Sequence, residues 1–156
     1  MGYSTDFDGQ LKLTFKDLSK KDLVLELVNG LASTRRMARD VSKLPKGDWG
    51  VEGEFYIGSQ KNLGVIDYNK PPRTQPSLWL QWTLHEEMDS NIYLEWDCGD
   101  NFYKYIPWLK YLIDKIFIPN QVTLNGEITW EGEVSPDLGL IQVVDNAVLV
   151  KKKKEG

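Results

Sequence analysis

Four carboxylates, Glu95, Asp97, Glu127 and Glu131, occupy alternate positions in two stretches patterned like β-strands, so they share the outward side of those strands. Carboxylates presented from neighbouring strands can hold Mg2+ or Mn2+, or divide acid and base roles where their surroundings push their pKa values apart. Metal-dependent hydrolysis of a phosphate-containing substrate is the chemistry that would follow. The same pattern also describes the wet side of an antiparallel sheet, where acids are solvated and do nothing further. A second constellation is aromatic and cationic. Trp79, Gln81, Tyr93 and Glu95 fall on the non-core side of two strands, Arg35 and Arg36 end a helix, and Tyr68 and Asn69 precede Pro71-Pro72. A rigid ring platform beside guanidinium groups suits a planar ligand bearing phosphate or carboxylate, or the anchor of a protein partner. Against this stands a structural alternative, in which the rings are covered by the segment 41–75 and the arginines neutralise a helix C-terminus.

Other chemistries find less to work with. The sole histidine, His85, lies beside Glu86 and Glu87, and the chain has neither a Gly-x-Ser-x-Gly elbow nor a Cys/His pair at a familiar spacing. Cys98 is the only cysteine, which rules out an internal disulfide and the usual zinc spacings. With Asp97 and Asp100 beside it and no adjacent cation, nothing stabilises its thiolate, so it reads as a structural thiol. Gly47, Gly50, Gly53 and Gly58 form neither a phosphate-cradling loop nor a dinucleotide fingerprint.

Leu11, Leu13 and Phe15 alternate as in a half-buried strand over 9–15. Ser19 with Asp22 marks a helix start, and Leu23, Val24, Leu27, Val28 and Leu31 form one helical stripe, with Gly30 a weak point. Segment 41–75 is irregular, with Phe55-Tyr56-Ile57 as a short strand. The stretches 78–84 and 91–97 form a hairpin with cores at Leu78, Leu80, Trp82 and Leu84 and at Ile92, Leu94 and Trp96. Asp100 is the expected cap of a second helix, with Pro107 in the first turn of its main part and Pro119 at its end. Residues 121–133 alternate again, as one bulged strand or a small hairpin at Asn125-Gly126, and 140–144 with 147–150 close the fold around Asp145-Asn146. The order β-α-β-β-β-α-β-β predicts an α+β domain, a mainly antiparallel sheet with two helices on one face.

The chain has 156 residues and a net charge of −4, from 19 basic and 23 acidic residues. Four of the lysines are consecutive, Lys151 to Lys154, so the rest is more acidic still. That balance argues against general nucleic-acid binding. Residues 1–150 are expected to form a single domain and 151–156 a disordered basic tail. No apolar run approaches the ~18 residues of a membrane span, no secretion signal opens the chain, and the lone cysteine suits a reducing compartment, so a cytoplasmic location is the expectation.

Five segments give the chain a family likeness. They are Met1 to Phe7 (MGYSTDF); Thr34 to Met37 (TRRM); Asp67 to Pro72 with Gln75 to Trp82; Glu95 to Tyr103 (EWDCGDNFY); and Leu124 to Glu127 with Trp130 to Glu133. On these, the chain resembles a family of short uncharacterised proteins of phage and bacterial genomes, nearly end to end. The resemblance brings no activity or catalytic residue with it. Two departures stand out: Pro107 replaces a helix-friendly residue, and Cys98 sits where glycine is more typical. The expectation is a non-enzymatic binding protein without a cofactor, a phage-encoded accessory factor of counter-defence type that captures a host protein or a nucleotide-like small molecule. Its site would centre on Arg35, Arg36, Tyr68, Asn69, Trp79, Gln81, Tyr93 and Glu95. The alternative is the hydrolase, with Mg2+ or Mn2+ on Glu95, Asp97, Glu127 and Glu131.

Overall fold

The structure, a computed structural model, describes residues 2–152. Strand β1 (Thr5–Phe15) leads through a 3-10 turn into helix α1 (Lys21–Ala32). The short strands β2 (Ala38–Arg39) and β3 (Val65–Asp67) follow, then the hairpin of β4 (Trp82–Glu86) and β5 (Ile92–Trp96). Helix α2 (Tyr105–Leu112) continues as a π-helical turn, Ile113–Phe117, and strands β6 (Val122–Gly132), β7 (Leu138–Val144) and β8 (Ala147–Lys152) complete the chain. Six strands make one antiparallel sheet in the order β4-β5-β1-β6-β7-β8, and β2 and β3 form a separate two-stranded sheet. The fold is α+β with a mainly antiparallel sheet.

Period-2 alternation decides which face of the sheet is dry. Leu11 and Leu13, Trp82 and Leu84, Ile92 and Leu94, Leu124, Ile128 and Trp130, and Ile141 and Val143 all point to one side and are buried. Val24, Val28 and Leu31 of α1 and Leu109, Leu112, Ile113, Ile116 and Phe117 pack on that same side. Phe7 extends the core past the expected start of β1, meeting Trp82, Trp96, Phe102 and Tyr105 edge-on at centroid distances of 4.9–5.8 Å. Trp96 is only partly buried at this margin, and Leu23 and Leu27 of the α1 stripe are half-exposed and half-buried respectively. β6 is one unbroken strand: its register with β1 runs without a shift from Gly132 opposite Thr5 to Val122 opposite Phe15. Gly126 is required inside it, since its φ is +142° and a Cβ there would lie 2.8 Å from the Gln10 carbonyl oxygen. No helix among the described residues is long and apolar enough to cross a membrane.

Local chemistry moves several boundaries. Asp17, not Ser19, caps the entry to α1: its Oδ1 accepts from the Ser19 N–H and hydroxyl at 3.0 and 2.7 Å. Asn29 of α1 uses its side-chain amide as a strand partner, donating to the Leu84 carbonyl (3.0 Å) and accepting from the Leu84 N–H (2.8 Å). It thereby closes part of the free edge of β4. Asp100 does not cap α2; its carbonyl accepts from Gln81, and the helix starts after Lys104 in the left-handed region. Pro107 is the third residue of that helix, where its missing N–H has no intrahelical partner to lose. Lys151 and Lys152, expected in the tail, pair with Leu140 and Gly139 as the end of β8. The remainder of the expected tail, 153–156, lies outside the described residues.

Phe55-Tyr56-Ile57 is not a strand. Its segment wraps over the C-terminal end of α1, where Gly30 allows close contact: a Cβ there would lie 2.6 Å from Ile57 Cδ1. The ladder in this region belongs instead to β2 and β3, which apolar alternation is too short to reveal. Residues 34–79 thus form a cap over one end of α1, beside the β4 edge.

Candidate functional site

The carboxylates do not converge. β1 lies between β5 and β6, which puts Glu95 and Glu127 two strand spacings apart, about 9.5 Å. Glu131 lies a further four residues along β6, opposite Asp6, and Asp97 is beyond the end of β5, accepting from the Gly99 N–H at 2.8 Å. An ion that takes several oxygens at about 2.0–2.6 Å needs more of these side chains brought to one point than this strand order provides. Among the described residues no group of three or more His, Cys, Asp or Glu side chains is placed to hold a metal. The outward face of the sheet is a wet antiparallel face, with Glu127 accepting from Gln142 at 3.3 Å.

The two adjacent arginines separate completely, because consecutive residues of this extended segment point in opposite directions. Arg36 turns inward and is 1% exposed. All its side-chain donors are used: Nε on Gln75 Oε1 (3.3 Å), Nη1 on Thr34 Oγ1 (2.6 Å) and the Tyr56 carbonyl (2.9 Å), and Nη2 on the Gly53 and Glu54 carbonyls (3.3 and 3.0 Å). Burial lowers its pKa to about 10, against the favourable field of Tyr111. Around this hub Gln75 Nε2 donates to the Glu54 carbonyl and the Tyr111 hydroxyl, and Tyr111 donates to Glu54 Oε1 at 2.7 Å. Arg36, expected in the binding site, is buried as the internal frame of the cap and does not line the cavity that Arg35 borders.

Arg35 turns outward. Its Nε donates to the Tyr68 carbonyl (3.1 Å), its Nη2 to Asn69 Oδ1 (3.4 Å), and its guanidinium stacks 4.1 Å from the Tyr68 ring centroid. Asn69 is in turn set by Asp67, whose Oδ1 accepts the Asn69 N–H in an Asx turn. Arg35 and Tyr68, with Trp79, border a cavity of about 230 Å3, and Asn69 stands behind Arg35 outside its lining. Buried Met37, Arg39 and Tyr56 form its inner wall, and exposed Lys61, Asn62, Tyr68 and Trp79 form its rim. Arg39 is fixed by donating to the Leu63 and Lys61 carbonyls at 2.7 and 2.6 Å, and stacks 4.7 Å from the Tyr56 ring centroid. Burial lowers the Arg39 pKa, while Tyr56 opposes that shift. Among the described residues no carboxylate lines the cavity. The ion pairs among the described residues, Lys21–Glu86, Arg73–Glu52 and His85–Glu87, involve none of Arg35, Arg39 or Lys61.

Of the eight expected binding residues, the structure brings Arg35, Tyr68, Asn69 and Trp79 together. Gln81 is occupied elsewhere, donating to the Asp100 carbonyl at 2.7 Å and accepting from Trp96 Nε1 at 3.3 Å. Tyr93 and Glu95 lie on the open sheet face and do not border the cavity. The sequence reading missed Arg39, Tyr56, Lys61 and Asn62. One signal pointed to Arg39, the density of three arginines within Arg35-Arg36-Met37-Ala38-Arg39. Comparison of the chain with protein-family models, with curated proteins and with solved structures gives no match.

Proposed function

We propose that this is a binding protein that captures a small anionic molecule with a planar group, nucleotide-like in its chemistry, in the cavity between Arg35, Tyr68 and Trp79. One observation carries the reading. In a chain of net charge −4, three cations, Arg35, Arg39 and Lys61, gather around one cavity beside three aromatic rings, with no carboxylate among the described residues lining it. Uncompensated cations on a rigid frame attract and orient an anion, and rings at the mouth give a flat group a surface to stack on. The sequence likeness to phage and bacterial proteins supports a role as an accessory factor that removes such a molecule from circulation. Tryptophan fluorescence titration with nucleotides, aryl phosphates and aryl carboxylates tests the reading. Binding by at least one class is expected, weakened about tenfold or more in Arg35→Ala and in Trp79→Leu while the cooperative melt is retained. Absence of binding across all three classes would refute it.

A further inference from the structure

Resting on that reading, we infer that the cavity takes its ligand phosphate-first, and that the ligand class is a nucleoside monophosphate. The terminal phosphate lies against Arg39, and the base remains at the mouth on Trp79.

The charge is deepest where the cavity is most closed. Arg39 is 3% exposed, yet its bonds go to two neutral carbonyls, so its charge is held in place without being cancelled. A guanidinium already fixed by its neighbours loses little further freedom on binding an oxyanion, and charge-assisted bonds in a partly dry site are the strong ones. Lys61 at the rim has no carboxylate partner among the described residues and adds a second cation at the entrance. The rings assign the other end of the ligand. Tyr56 is buried under Arg39, and Tyr68 carries Arg35 on one face, whereas Trp79 is 46% exposed and stacks on no ring or cation among the described residues. Trp79 is therefore the free platform, and it is at the mouth.

Size sets the class. A cavity of about 230 Å3 is smaller than the roughly 300–1,000 Å3 that encloses a drug-sized ligand. It admits a phosphoryl group and part of a sugar and leaves the base outside, against the indole. A closed inner wall leaves no room for a second or third phosphate behind the first. A terminal phosphate also carries a charge of about −1.5 to −2 near pH 7, matching several cations better than the single charge of a phosphodiester.

Titration of the full chain with AMP, adenosine, ATP and inorganic phosphate, read by Trp fluorescence and calorimetry, tests this. AMP is expected to bind about tenfold or more tightly than adenosine, inorganic phosphate or ATP, and to weaken several-fold at pH 5, below the second phosphate pKa of about 6. Lys61→Ala and Trp79→Leu alter exposed side chains and are each expected to weaken AMP by about tenfold with an unchanged melt. Adenosine binding as tightly as AMP, ATP binding more tightly, or full AMP affinity in Trp79→Leu would overturn the phosphate-first orientation. Binding of aryl carboxylates without AMP would overturn the ligand class and leave the proposed function standing. If neither AMP nor any aryl anion binds, both fail together.

Discussion

The sheet with its two helices and the cap of residues 34–79 are stabilised by opposite means. In the sheet, nearly every buried side chain is apolar, and the backbone satisfies itself strand against strand. In the cap, the buried polar residues Arg36, Arg39, Glu54 and Gln75 provide the organisation, and side chains satisfy many of the backbone carbonyls. An apolar core tolerates small shifts, because its attraction is non-directional. A buried guanidinium surrounded by carbonyls accepts one arrangement only, and leaving any member unpaired is costly. The region that borders the cavity between Arg35, Tyr68 and Trp79 is the one with the directional frame, as a preorganised site requires.

The largest test of this contrast is Trp82→Ala. Trp82 is 0% exposed at the centre of the aromatic cluster, and its loss is expected to cost about 3–5 kcal/mol. Amide exchange should accelerate throughout the domain. Arg36→Met retains the volume and removes the donors to Gln75 Oε1 and to the Gly53, Glu54 and Tyr56 carbonyls, of which Gly53 and Glu54 keep their bonds from the Tyr56 N–H and Gln75 Nε2. A loss of about 3 kcal/mol is expected from such buried groups, with faster exchange confined to 34–79. Exchange that accelerates equally in the sheet would show that the two regions are one cooperative unit.

Tyr111→Phe is a smaller perturbation of the same hub. It removes the bonds to Glu54 and from Gln75 and should cost about 1–2 kcal/mol at neutral pH. Burial, chiefly, raises the Tyr111 pKa above its ordinary value, with the Glu54 bond adding to the shift and the Gln75 bond opposing it. A folded-state value above the unfolded one means a contribution fully present below pH 10 and lost as pH rises through the folded-state pKa. Urea melts from pH 8 to 11 should therefore show a steeper alkaline loss in the wild type than in Tyr111→Phe.

The smallest expected effect is a gain. Cys98 has φ +64°, a left-handed backbone that explains why glycine suits this position. Cys98→Gly should raise stability by about 0.5–1 kcal/mol. An unchanged or lower thermal midpoint would show that the exposed thiol side chain offsets the backbone strain.

What could be read in advance follows the same division. Leu11, Leu13, Leu94, Leu124 and Ile128 repeat at period 2, and Val24, Val28 and Leu31 at helical spacing, so the dry face and the helix packing were legible. The outward carboxylates were legible as outward, but not as separated, because strand order is set by long-range pairing that local alternation does not encode. In the cap there is no period to read. Arg35 and Arg36 are adjacent and chemically alike, and only the tertiary position of Gln75, Glu54 and Tyr56 decides which becomes the frame and which faces the cavity. Asn29 on a helix gave no sign that it would complete a strand edge.

Every residue bordering the cavity falls between Ser33 and Trp79, one continuous stretch of chain. If faster exchange in Arg36→Met is confined to 34–79, this stretch opens as a unit over an intact six-stranded sheet, at a free energy below that of global unfolding. Ligand present at 100 times its Kd would raise that opening free energy by about 2.7 kcal/mol. Slowed hydrogen exchange over 33–79, at a rate set by ligand concentration, would make the cap a local sensor of occupancy without any change in the sheet beneath it.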